Sequence, residues 1–263
     1  MIANFFQNLE RHGVEYLLIS GQAMVLYGAA TFSEDIDLWL NPTETNRTRF
    51  LSALRDSAAR YYKPTPAFTV ENLRQGHGFH FVLPEASGEF FLDVMGNPPR
   101  AGAFAAGAAT ARWMDSEWGA VHTIGIKPLV ELKKTQRLED YPVIGRLALA
   151  WMEQPEGAGL DADFLWALHN IFTLPELMAC FTEHPAAVAV AEKFNRDVGE
   201  FGRQWLVGND ADELVEHRVG DFFQHRISEL QLADRRHWRS IIRELKTLRA
   251  AGRLMPEGAL MSE

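Results

Sequence analysis

Between Glu15 and Leu40 the chain carries a pattern that few folds accommodate: apolar run, tight turn, short helix, polar loop, second apolar run. EYLLIS (Glu15 to Ser20) fits a buried strand, Gly21 permits a sharp turn, and QAMVLYG (Gln22 to Gly28) fits a short helix ending at a glycine. DIDLWL (Asp35 to Leu40) predicts a second strand with carboxylates at alternate positions. Alternation puts Asp35 and Asp37 on one face, roughly 6–7 Å apart at Cα. Like charges held that close are costly unless a cation lies between them. A divalent metal answers that need, and hard oxygen ligands suit magnesium or manganese.

Further along, FHFVLP (Phe79 to Pro84) and GEFFLDVMG (Gly88 to Gly96) flank the short turn EAS and predict a hairpin. The second arm carries Asp93. One sheet can bring Asp35, Asp37 and Asp93 together, and such a triad suits two metal ions that clamp a nucleoside triphosphate and an acceptor hydroxyl. Ser20 and Gly21 precede a helix N-terminus, where free N–H groups and the dipole attract phosphate.

The remaining segments are plainer. TETNRTRFLSALRDSAAR predicts an amphipathic helix, and the N-terminal MIANFFQNLERHG another, closed by Gly13. Asn97 to Ala111, rich in Pro, Gly and Ala, predicts a loop, and AVHTIGI (Ala120 to Ile126) a strand. IKPLVELKKTQRLEDYPVIGRLALAWM fits helix, break, helix, with Arg137 and Asp140 as an ion pair at the break. Beyond Glu153 strand signals vanish and helical periodicity takes over, with Pro155 to Gly159 as a boundary. A helix near Asp210 carries capping-box-like spacing to Glu213, and a later helix carries a stripe of Trp238, Ile241, Ile242, Leu245 and Leu248. The expected architecture is α/β: domain 1–154 with a small mixed sheet and flanking helices, then an all-helical domain, 155–263. His77 and His80 fit a hairpin edge better than a metal site. Arg236, Arg239, Arg243 and Lys246 fit a solvated helix face better than an RNA contact.

A net charge of −9 over 263 residues argues against a uniformly basic nucleic-acid surface. The single cysteine, Cys180, excludes an intrachain disulfide and favours a reducing compartment. With no signal peptide and no stretch approaching 18 apolar residues, a cytoplasmic protein without a membrane span is expected.

The segment GQAMVLYGAATFSEDIDLWL, with Asp93 on a later strand, resembles the nucleotidyltransferase superfamily that shares the DNA polymerase β fold. It is most similar to bacterial minimal nucleotidyltransferases, including those of abortive-infection toxin–antitoxin systems. LVELKKTQRLEDYPVI resembles the Lys-rich helix after their catalytic sheet, so the likeness covers about residues 13–150. It implies a nucleotidyltransferase-type sheet, an NTP substrate and Mg2+ or Mn2+, two ions, on Asp35, Asp37 and Asp93. Ser20 and Gly21 would cradle the triphosphate, Lys133 or Lys134 would touch phosphate, and Asp93 would also take the acceptor's proton. The acceptor is unspecified: a small molecule, RNA or protein. Ser20 stands where the family turn has Gly, Thr31 where it often has Arg, and Ser33 where it has Thr. These departures leave open a non-catalytic relative that binds nucleotide or a partner protein in a defence system. An Asp-x-Asp glycosyltransferase is the second alternative.

Overall fold

The computed structural model describes residues 2–85, 88–155, 157, 160–208 and 210–260. Helix α1 (Ile2–Arg11) turns Phe5, Phe6 and Leu9 inward, and Gly13 follows at φ 63. Strand β1 (Tyr16–Ile19) is buried throughout and leads directly into α2 (Ser20–Leu26). β2 (Ile36–Leu40) follows a polar loop, with Asp35 just outside it. α3 (Glu44–Asp56) is capped by Thr43, whose hydroxyl accepts the Asn46 N–H at 3.2 Å. Then come β3 (Arg60–Tyr61), α4 (Val70–Arg74), β4 (Gly78–Glu85) and β5 (Gly88–Met95). α5 (Phe104–Ala108), β6 (Arg112–Ser116) and β7 (Gly119–Thr123) complete the sheet region.

The remaining elements are helical: α6 (Ile126–Lys133), α7 (Asp140–Met152), α8 (Asp161–Leu168), α9 (Leu174–Glu183), α10 (Ala187–Phe194), α11 (Arg196–Gly208) and α12 (Glu213–Ala250). Chain contacts define two compact units, one of residues 1–26, 30–132 and 236–263, the other of residues 27–29 and 133–235. The expected division after residue 154 cuts the chain elsewhere. By these contacts α7 groups with the helices, and the end of α12 with the sheet.

In the sheet unit seven strands run in the order β3-β4-β5-β2-β1-β7-β6. β1–β7 and β2–β5 are parallel and the other pairs antiparallel, so the sheet is mixed. One face is covered by apolar helix surface, with Phe5 6.0 Å from Phe90 and Phe50 6.3 Å from Phe81, ring to ring. Chain from 255 to 260 extends the sheet beyond β3. The Met255 N–H reaches the Thr65 carbonyl at 2.7 Å, and the Tyr61 N–H reaches the Ala259 carbonyl at 3.0 Å. Near the end of α12, the Glu244 carboxylate lies 3.2 Å from Nε2 of the fully buried His77.

In the helical unit, Leu177, Cys180, Phe181, Phe201, Val219 and Phe223 belong to one buried apolar core. Arg226 lies against the rings of Phe172, Phe194 and Phe222 and donates to the Ile171 and His169 carbonyls. Among the described residues, no helix is long and apolar enough to cross a membrane.

Several expectations change. The Asn97 to Ala111 loop contains α5, and β6 was not foreseen. The EAS turn and the Pro155 to Gly159 boundary lie partly outside the described residues. The two helices expected after residue 210 are one, α12, and its first turn is held by Asp212, which accepts the Leu214 N–H at 2.8 Å, rather than by Asp210. At the break before α7, Asp140 pairs with Lys133, not Arg137: Lys133 Nζ lies 3.1 Å from Asp140 Oδ1.

Candidate active site

The turn into α2 is built differently from the sequence expectation. Its left-handed residue is Ser20, at φ 58, and not Gly21. A non-glycine residue there is uncommon and stores strain on the order of 1–3 kcal/mol. Gly21 is required for another reason. A Cβ at that position would overlap the Ser33 hydroxyl and stand 2.7 Å from its Cβ. That close approach ties the loop before β2 to α2. Gln22 Nε2 fastens it by donating to the Ser33 carbonyl at 2.7 Å. The same loop delivers Asp35 to the sheet.

Strand register then assembles a transverse row. Ile19 on β1 pairs with Asp37 on β2, Asp37 with Asp93 on β5, and Asp93 with His80 on β4. The Tyr62 N–H, just past β3, donates to the His80 carbonyl at 3.0 Å and extends the row by one strand. Neighbours in register share a face, so these side chains project on the side opposite the Phe79, Phe81 and Leu92 layer. At the other end of this face α5 seals Trp39. The indole is fully buried, lies edge-on to Phe104 at 5.5 Å, and donates Nε1–H to the Gly96 carbonyl at 3.0 Å. Asp37 and Asp93, two residues away on their strands, stay half-exposed.

The electrostatics follow from this crowding. The Asp35 carboxyl is held above its ordinary value, first by loss of solvent and second by the negative charge of Asp93, with Lys63 opposing. Asp93 Oδ1 lies 2.7 Å from His80 Nδ1. The donor set is oxygen-rich, which fits a hard divalent cation in type. Its present arrangement is not a finished cage: among the described residues no three His, Cys, Asp or Glu side chains are placed to hold one metal ion.

Ser20, Gly21, Asp35, Asp37 and Asp93 all belong to the sheet unit. Lys133 and Lys134 belong to the helical unit. Lys133 is 8% exposed and its ammonium is engaged by Asp140. Lys134 follows α6 and is half-buried. A cavity of about 220 Å³ lies on the helix-covered side of the sheet, lined in part by Phe5, Asn8, Ala58 and Phe90, and includes none of these aspartates.

The sequence reading put His80 at a hairpin edge without its partner Asp93, and missed Lys63, Tyr62 and Phe91 around the row. His80 had a signal. In an antiparallel pair partners sum to a constant, so an arm pairing of Glu85 with Gly88 sets residue 80 opposite residue 93. Tyr62 and Lys63 had none, because nothing in YYKPTP fixes a partner strand. No protein-family model matches this sequence, and no curated protein matches it.

Proposed function

We propose that the open sheet face is the active site of a metal-dependent nucleotidyltransferase, which moves a nucleoside monophosphate from a nucleoside triphosphate to a hydroxyl acceptor. The observation that carries this reading is the register that sets Asp37 beside Asp93, with Asp35 delivered to the same face by the loop fastened to α2. In balanced form, the acceptor oxygen bonds to the α-phosphorus while the bond to the α–β bridging oxygen breaks. Pyrophosphate leaves, and the hydroxyl proton passes to Asp93. Magnesium or manganese, when bound, offsets the phosphate charge, and Asp35 and Asp37 are the residues to hold it. His80 fixes one oxygen of Asp93, leaving the other for the incoming proton. Ser20 and Gly21 face the triphosphate. Positioning and charge stabilisation supply most of the rate in such transfers.

The test is calorimetric titration of ATP into the wild type, with and without magnesium, beside an Asp35→Asn/Asp37→Asn variant. Magnesium-dependent binding that the variant loses is the expected result. A folded wild type that binds no triphosphate would sink the reading in favour of a non-catalytic relative. Preference for a nucleotide-sugar over ATP would move it to a glycosyltransferase.

A further inference from the structure

The row does not stop at the carboxylates. On the same face stand Tyr62, past His80 at the β3 edge, and Phe91, on β5 opposite Val82, with ring centroids 4.5 Å apart at 40°. Both rings are half-exposed, and Lys63, itself exposed, sets its ammonium 4.9 Å from the Tyr62 centroid. Phe91 is two residues from Asp93 on β5, so both face the same way, roughly 7 Å apart at Cα. Across the face the order is turn, Asp37, Asp93, His80, Tyr62, and Phe91 stands one step along β5 from Asp93, its ring reaching Tyr62 over β4. If the triphosphate takes the turn and the acid pair, the aromatic pair is left for the acceptor on the side of Asp93 away from the turn.

We propose that Tyr62 and Phe91 form a stacking platform for a nucleobase of the acceptor, with Lys63 meeting an adjoining phosphate and the sugar hydroxyl presented at Asp93. This rests on the nucleotidyltransferase reading. The chemistry fits on three counts. A π-face accepts any base without a hydrogen-bond code. The exposed Lys63 beside the ring pair complements one phosphate, the nearby Arg60 being paired with Glu89. A nucleoside spans the gap, with its ring on Phe91 and its sugar at Asp93. A packing pair alone accounts for the ring contact, but not for its exposure at the open end of the row or for the cation beside it.

The probes are AMP and a single-stranded RNA trinucleotide, titrated with magnesium and without triphosphate into the wild type, Phe91→Leu, Tyr62→Leu and Lys63→Gln, followed by intrinsic fluorescence. The leucine variants keep apolar volume, and equal melting temperatures establish that they fold. Binding should weaken roughly tenfold in each leucine variant, and Lys63→Gln should flatten its salt dependence. Whichever probe binds the wild type tighter identifies the source, free nucleotide or strand end. Magnesium–ATP binding should be unchanged in both leucine variants. Equal probe affinity in wild type and leucine variants overturns the platform, as does probe binding too weak to detect in the wild type. Loss of magnesium–ATP binding in Phe91→Leu overturns its assignment to the acceptor. A wild type that binds the probes but not magnesium–ATP sinks the transferase reading instead, so the two failures are distinguishable.

Discussion

Asp35 sits where function and stability pull against each other. Its carboxyl is held above the ordinary value by lost solvent and by Asp93, so its ionised form is less at ease in the folded protein than in the unfolded chain. The native state therefore binds this proton more tightly, and stability falls as pH rises from the unfolded value, near 4, through the raised folded one. Below that window the carboxyl is protonated in both states and costs nothing. Asp35→Asn should accordingly raise the melting temperature at pH 7 and leave it unchanged at pH 3, while removing magnesium-dependent nucleotide binding. Thermal melts at the two pH values check this, and a variant less stable at pH 7 contradicts it. Strained or repulsive groups retained at a site commonly have this signature.

Elements defined by local pattern were legible, and elements defined by a distant partner were not. β1, α2, β2 and the β4–β5 hairpin follow from apolar runs broken by Gly, Asp and short turns, all within a few residues of one another. β6, with Arg112, Trp113, Met114, Asp115 and Ser116, has too little apolar content to announce a strand and owes its form to pairing with β7. α5 has Ala, Gly and a single Phe, and it is a helix because Phe104 and Gly107 fit over Trp39. The same rule divides the site. The acid spacing in Asp35-Ile36-Asp37 is visible in the sequence, whereas His80 and Tyr62 join it only through register. β3 is the extreme case, since its outer neighbour is the chain between Met255 and Leu260. Removing residues 255–263 should uncover that edge, lower the melting temperature and increase light scattering on storage. A truncated protein as stable and monodisperse as the full chain would show that the pairing contributes nothing.

At the scale of the whole molecule, each unit has its own apolar core, so damage to one has a local reading. Cys180 is fully buried in the helical core, and burial pushes its thiol up to about 12. It should resist a thiol reagent at pH 8 in the native protein and react fully in denaturant. Phe201→Ala, in the same core, should cost about 3–5 kcal/mol and speed Cys180 labelling through local opening. Magnesium–ATP binding by the sheet unit should persist below the transition. Labelling unaffected by Phe201→Ala would separate that side chain from the core that protects the thiol. The pairing of Thr65 with Met255 also bears on how the chain is made. A ribosome adding roughly 5–20 residues per second leaves an interval on the order of 10–40 s between these two residues. Through that interval the Tyr61 amide, later bonded to Ala259, has no strand to pair with. Translation speed thus sets how long the aromatic end of the row stays unfinished in the nascent chain.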